Sequence, residues 1–396
     1  MNNMMKKYEC KIELKSPKDN HQKEILNQNE VLFLSSELFY KLFSFSSDDQ
    51  IVYEGSLQDS VGTLQNFHRE NTHWFDIYEQ NIIIFPNLRD QFIVFFDLVQ
   101  HVEIRRLPIT TKLTVATRGH VYLKYDKYSN LLYIISYDTE KNLVDIILMD
   151  FSNSTSKQIY KSILQNLNVV RLCQGNLLLE NQSLQSNPFE IHLFRKDFHL
   201  PLFGSLKDKD IILSCGFLDH SSSSFYMLFN KKRGKKSGIY IADIELDKMV
   251  QEDFKSCNLG KPDKGLQRKT LFGREDSEQD FLTGDSVVDI NNGLFLAQGW
   301  RFVHLFSYAH KDKKQWIFTP NQKISISYLD ETILISKSND LLTVVKQPDE
   351  QNPLMINMCL LPIVELKPLY YWMLQKLGYG TLMGIDSCAD IIEKLV

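Results

Sequence analysis

Short runs of β-branched, aliphatic and aromatic residues, divided by shorter polar stretches, recur along most of the chain. Residues 112–150 show the pattern best: KLTVAT, HVYLKYD, LLYIISY and LVDIILMD, separated by RG, KYSN and DTEKN. Such runs, with Gly, Asn, Asp and Lys in the gaps, predict four strands joined by tight turns. HVYLKYD alternates apolar and polar positions. LLYIISY and DIILM are nearly continuous, as in strands covered on both faces.

The same grammar returns in residues 31–70, 73–107, 168–197, 208–246, 286–319 and 323–362. With two apparent insertions set aside, the units repeat at a period of roughly 40 residues. A four-stranded meander cannot bury both faces alone, and several packed radially can. The fold class expected is all-β: a β-propeller of about seven four-stranded blades. YECKIELK, residues 8–15, is placed to complete the last blade. The repeats share a layout and no residues, without a WD dipeptide or a kelch-like double glycine, so they are WD40-like in arrangement only. Glycine (17) and proline (11) are sparse for a turn-rich chain, which keeps two stacked β-domains as the structural alternative.

Three segments break the pattern. In 152–167, Ile159, Tyr160, Ile163 and Leu164 fall at helical spacing behind Ser and Thr cap candidates, which predicts a helix. Residues 247–285 are polar, basic KPDKGLQRK followed by acidic REDSEQD, and read as a long loop inserted in the propeller. From 363 the character changes. Leu369, Trp372, Met373, Lys376 and Leu377 suit a helix opened by Pro368 and ended by Gly378, with a second from Ser387 to Leu395 capped by Asp386. The domains expected are therefore a propeller over 1–362 with its insertion at 247–285, and a helical tail over 363–396.

Composition adds limits. Of 396 residues, 43% are hydrophobic and 12% aromatic, enough to build a sizeable core and exclude global disorder. A formal charge of −4 and a pI near 6.2 count against binding polyanions through overall charge. Six dispersed cysteines without a C-x-x-C pair suggest buried free thiols and a reducing compartment. The N-terminus has no signal-like apolar core, no stretch is long and apolar enough for a membrane-spanning helix, and a cytoplasmic location is expected. The sequons at Asn153 and Asn181 are then chance matches.

Candidate chemistry is thin. The densest charge lies in NKKRGKKSG, where Lys231, Lys232, Arg233, Lys235 and Lys236 surround Gly234 between two strands. This is either a solvated hairpin tip or a contact for phosphate, nucleic acid or an acidic protein surface. No aromatic interleaves the run, which counts against single-stranded nucleic acid. Trp300 beside Arg301, after a turn glycine, is the type of pair that anchors protein interfaces, although packing between blades is the commoner fate of a tryptophan. His68 with His73, His192 with His199, and His304 with His310 are loose pairs, none at the i, i+2 spacing that puts two metal ligands on one strand face. Asp138, Asp145, Asp150, Asp219, Asp285, Asp289 and Asp330 sit where turns want aspartate. No nucleophile elbow, phosphate loop or dinucleotide fingerprint occurs. The reading is a non-catalytic scaffold that presents rim loops to a protein partner, with no catalytic residue, metal or cofactor assigned. The alternatives are a hydrolase or lyase using Asp and His at the central channel, and polyanion contact through 231–236. Neither partner identity nor oligomeric state is legible.

Overall fold

The computed structural model of the chain describes residues 6–11, 21–27, 30–35, 38–45, 50–61, 74–79, 81–113, 119–127, 129–164, 167–173, 175–181, 189–207, 210–218, 224–231, 237–262, 265–272, 282–289, 294–299, 302–311, 315–325, 333–338, 341–346 and 355–362. Side chains are described mainly between Leu38 and Leu271.

In chain order the strands are β1 (Lys6–Lys11), β2–β5 (His21–Asn27, Glu30–Ser35, Phe39–Phe45, Gln50–Ser56) and β6–β9 (Asp76–Glu79, Ile82–Asn87, Phe92–Asp97, Val102–Pro108). Then come β10–β13 (Gly119–Asp126, Leu131–Asp138, Leu143–Asp150, Thr155–Ile163) and β14–β17 (Leu167–Cys173, Asn176–Asn181, Phe189–Arg195, Phe198–Gly204). β18–β20 (Asp210–Phe217, Ser224–Lys231, Ser237–Asp243) are followed by the two-residue β21 (Cys257–Asn258) and β22 (Lys261–Pro262), and by β23 (Gly265–Phe272). β24–β27 (Leu282–Asp289, Leu294–Gly299, Phe302–Lys311, Gln315–Ser325) and β28–β30 (Ile333–Ser338, Leu341–Lys346, Met355–Pro362) complete the set. Two short helices are described, α1 (Gln58–Val61) and α2 (Leu246–Gln251).

These strands make seven sheets, each built on a four-stranded antiparallel meander, which is the organisation of a β-propeller. They fall into two compact bodies. Ser16–Leu206 with Asp247–Gly260 holds four sheets, β2–β5, β6–β9, β10–β13 and β14–β17, and β21 adds in parallel to β17. Met1–Lys15, Lys207–Leu246 and Lys261–Val396 hold three: β18–β20 with β23 and β22, β24–β27, and β28–β30 with β1. Within the first body β10 approaches β6 and β14; within the second β24 approaches β18 and β28. The first strand of these sheets is thus the innermost.

The near-continuous apolar strands are explained by their neighbours. In β11, Leu132 and Ile134 pack with Ile84, Ile93 and Phe95 of the preceding sheet. Leu131, Tyr133 and Ile135 turn the other way, onto Leu177, Leu179 and Phe194 of the following one. Each fully buried aliphatic side chain contributes roughly 1.5–3 kcal/mol of burial. The turns use local carboxylates as expected: Asp138 Oδ1 accepts from the Glu140 and Lys141 amides, and Asp150 Oδ1 accepts from the Ser152 amide. Asn130 and Asn142 take the left-handed conformation at φ 56° and 52° and accept the hydroxyls of Tyr125 and Tyr137.

The structure corrects several boundaries. Residues 155–163 form the outer strand β13, not a helix. Its pairing skips Ile159: Ile146 faces Tyr160, while Ile147 faces Gln158. This bulge puts two apolar residues side by side and breaks the period of two, which imitates helical spacing. Lys112 and Leu113 of the expected strand KLTVAT are irregular, 114–118 lie outside the described residues, and the first described strand of this blade is Gly119–Asp126. Gly119, read from sequence as part of the RG turn, therefore belongs to the strand. The polar stretch 247–285 is not one long loop: it contains most of α2, the two short strands, and β23, which pairs with β20 as its sheet's fourth meander strand. His21–Asn27 is a strand that the sequence pattern did not announce. The expected tail helices, 363–396, lie outside the described residues.

Candidate functional site

The outer strand β9 carries the described surface best suited to a partner. It is the edge of its sheet, and its register slips between Phe95 and Phe96: Phe95 faces Arg105 and Phe96 faces Glu103. Ile104 is the extra residue of this bulge and stands 47% exposed, beside Val102 at 40%. Bulges re-aim side chains and spoil an edge for uncontrolled pairing. Arg105 lies over the Phe95 ring, 5.3 Å from its centroid, and Arg106 makes a two-pronged ion pair with Glu103. The result is an apolar pair flanked by ordered guanidinium groups. Ile163, 66% exposed, ends the outer strand β13 of the following sheet. Side chains beyond β9 and in β13 are linked: Thr110 Oγ1 lies 2.8 Å from Ser156 Oγ, and Thr111 Oγ1 donates to the Ser156 carbonyl at 2.9 Å.

A second cluster lies between β13 and the β16–β17 hairpin. His192 Nδ1 is 2.9 Å from His199 Nε2, and the two rings are stacked at 10°. Glu190 Oε1 approaches His192 Nε2 at 3.3 Å, and its other oxygen accepts from Asn181 Nδ2 at 3.0 Å. Tyr160 packs edge-on against His199 and Phe194, at centroid distances of 4.8 and 4.9 Å. Burial lowers the affinity of both imidazoles for a proton. His199 falls to about 4, helped by His192; for His192, Glu190 partly opposes the shift.

A third cluster binds β18, β20 and β23. The Asp210 side chain is 1% exposed; its Oδ2 accepts from Tyr240 at 2.6 Å and from Arg268 Nε at 2.9 Å. The Tyr240 hydroxyl also accepts from the Lys207 amide at 3.1 Å. Arg268 stacks on Phe229, 4.3 Å from the ring centroid. Burial first, then the bond to Asp210, pushes the Tyr240 hydroxyl up to about 12. These groups are turned on one another and hold strands together.

The residues singled out from sequence fare unevenly. Lys231 ends β19, while Lys232, Arg233, Lys235 and Lys236 lie outside the described residues, as do Trp300 and Arg301. His68 and His73 are outside them too; His304 and His310 lie on β26, of which only the backbone is described at those positions. The structure brings His192 and His199 together. The sequence signal for this was present: a two-residue turn, Lys196–Asp197, between two strand-like runs pairs Phe194 with His199 and His192 with Pro201. Asp145 is not a turn former. It is buried mid-strand, accepts from Gln158 Nε2 at 2.7 Å and meets Lys161 at 3.4 Å. Among the described cysteines Cys215 is buried and Cys257 partly so, and neither is in a disulfide. Among the described residues no three His, Cys, Asp or Glu side chains gather at a metal-binding distance.

No family model matches the chain, and no curated protein matches its sequence. Solved structures do resemble it. An oligogalacturonate lyase in complex with manganese aligns over 90% of this chain and 96% of its own, with a TM-score of 0.53 at 10% identity. The oligogalacturonate lyase of Vibrio parahaemolyticus aligns over 92% and 98%, with a TM-score of 0.47 at 10% identity. The WD40 β-propeller domain of Doa1 aligns over 89% and 97%, with a TM-score of 0.45 at 13% identity. At 10% identity the likeness to the manganese-bound lyase bears on the fold and on nothing finer.

Proposed function

We propose that this protein is a non-catalytic scaffold that binds another protein at the outer rim of its blades. The observation that carries the reading is the outer strand β9, with Val102 and Ile104 exposed on a bulged edge beside Arg105 and Arg106. Apolar side chains next to oriented guanidinium groups are what interface hot spots are made of. A cytoplasmic site of action belongs to the same proposal, and Cys215 and Cys257, both outside any disulfide, support it. Lys231, Lys232, Arg233, Lys235, Lys236, Trp300 and Arg301 are proposed as further rim contacts.

The test is capture from native lysate with the full chain and with Val102→Ser/Ile104→Ser, washed at high salt after nuclease treatment. A protein retained near stoichiometrically by the natural chain and lost by the variant supports the reading, provided circular dichroism shows both folded alike. Equal retention by both overturns it.

The second reading, a hydrolase or lyase working at the inner strands, draws on His120 and Tyr122. They lie on the innermost strand β10 with ring centroids 6.2 Å apart. A metal and substrate screen with His120→Ala as control tests it; turnover that survives the substitution removes those residues from the chemistry.

A further inference from the structure

We propose that Glu190, His192 and His199 form an acid-sensitive latch that holds the outer strands of the third and fourth sheets together at neutral pH and releases them in acid. The reasoning starts from proton count. The two histidine nitrogens that face each other at 2.9 Å can hold one proton between them. A proton on His192 Nε2 faces the Glu190 carboxylate, which lies 3.3 Å away without forming a hydrogen bond, and leaves His192 Nδ1 to accept from His199 Nε2–H. A first added proton enters at His199 Nδ1 and leaves the bond between the rings intact. A second has only His192 Nδ1 to occupy. That puts two N–H groups head to head between two cations, and the stacked rings must part.

What parts with them is a seam between sheets. His192 has 5% of its side chain exposed and lies against Tyr160 of β13, as do His199 and Phe194. Other charged groups along this seam are already matched: Lys157 of β13 pairs with Asp197 of the β16–β17 turn, Lys161 with Asp145, and Arg195 with Asp247. Tyr133 accepts the Lys196 amide at 3.0 Å. Glu190 is the acid facing the pair, and it faces His192 rather than His199. An imidazole with an ordinary pKa of 6.5 in the opened form favours opening about tenfold at pH 5.5, and two favour it more. The sign is fixed by the direction of the shifts. Both imidazoles bind protons less readily when folded, so the seam is fully held above pH 6.5 and weakens as pH falls toward the folded value of about 4 for His199.

The experiment uses the full chain. Imidazole nitrogen resonances are followed from pH 7.5 to 5, and amide exchange, corrected for its intrinsic pH dependence, is compared at pH 7 and 5.5. Both imidazoles are expected to stay neutral to below pH 6. Protection in β13 and the β16–β17 hairpin is expected to fall at least tenfold, while that in β7 and β8 holds. His199→Phe, which keeps an aromatic ring stacked on Phe194, is expected to reduce the acid-induced loss at least threefold. Either imidazole titrating near 6.5, or protection falling equally in all sheets, overturns the proposal. If His199→Phe does not fold, the natural chain's titration and exchange decide it alone.

Discussion

Arg268 shows what single residues do in this protein. Its side chain is 17% exposed, and its guanidinium lies between the Asp210 carboxylate and the face of Phe229. Removing one partner of a buried pair leaves a charge without compensation, whereas removing both does not. Arg268→Ala is therefore expected to cost about 3 kcal/mol of unfolding free energy. Asp210→Asn combined with Arg268→Met should cost clearly less than the two single changes added together. Denaturant melts of these four variants check this; a loss under about 1 kcal/mol for Arg268→Ala would place the pair among ordinary surface salt bridges. This network was invisible in the sequence because its members come from β18, β20 and β23, and nothing local marks them as partners. The histidine pair is different. Its two members lie on strands joined by a two-residue turn, and counting back from Arg195 opposite Phe198 puts them together.

At the scale of elements, the sequence was most legible where strands are covered on both faces. Continuous apolar runs such as LLYIISY are strands in the structure because adjacent sheets claim alternate residues. Legibility fails at outer strands, which bury little and tolerate polar residues. β13 alternates poorly because of its bulge at Ile159, and β23 lies in a stretch whose charges read as a loop. Yet β23 pairs with β20 from Gln267 to Phe272, and Leu266 at its start is fully buried. If this stretch is a blade strand, Leu266→Ala should destabilise the protein by about 3 kcal/mol, the usual cost of emptying a buried leucine site. A loop would tolerate the change within about 0.5 kcal/mol. Urea unfolding at neutral pH separates the two outcomes.

At the scale of the whole molecule, the point that matters is how the chain's first strand is used. β1 pairs antiparallel with β30, from Lys6 opposite Leu360 to Lys11 opposite Met355. A strand from the start of the sequence thus completes a sheet whose other three strands come from its end. The sequence hinted at this because YECKIELK reads as a strand that stands apart from the repeats and is placed to complete the last blade. The energetic consequence lies in the edge. Without β1, β30 presents a row of unpaired backbone donors and acceptors along MINMCLLP, an apolar strand with no charge to discourage pairing. Deletion of residues 1–11 is therefore expected to shift the chain to larger species in size-exclusion chromatography relative to the undeleted chain. Adding a peptide of residues 1–15 in excess should reverse the shift, since it restores the missing strand without a covalent link. A deletion variant that elutes as the full chain does would mean that β1 is dispensable to its sheet. A shift that the peptide leaves unchanged would mean that the edge of β30 is not what drives association.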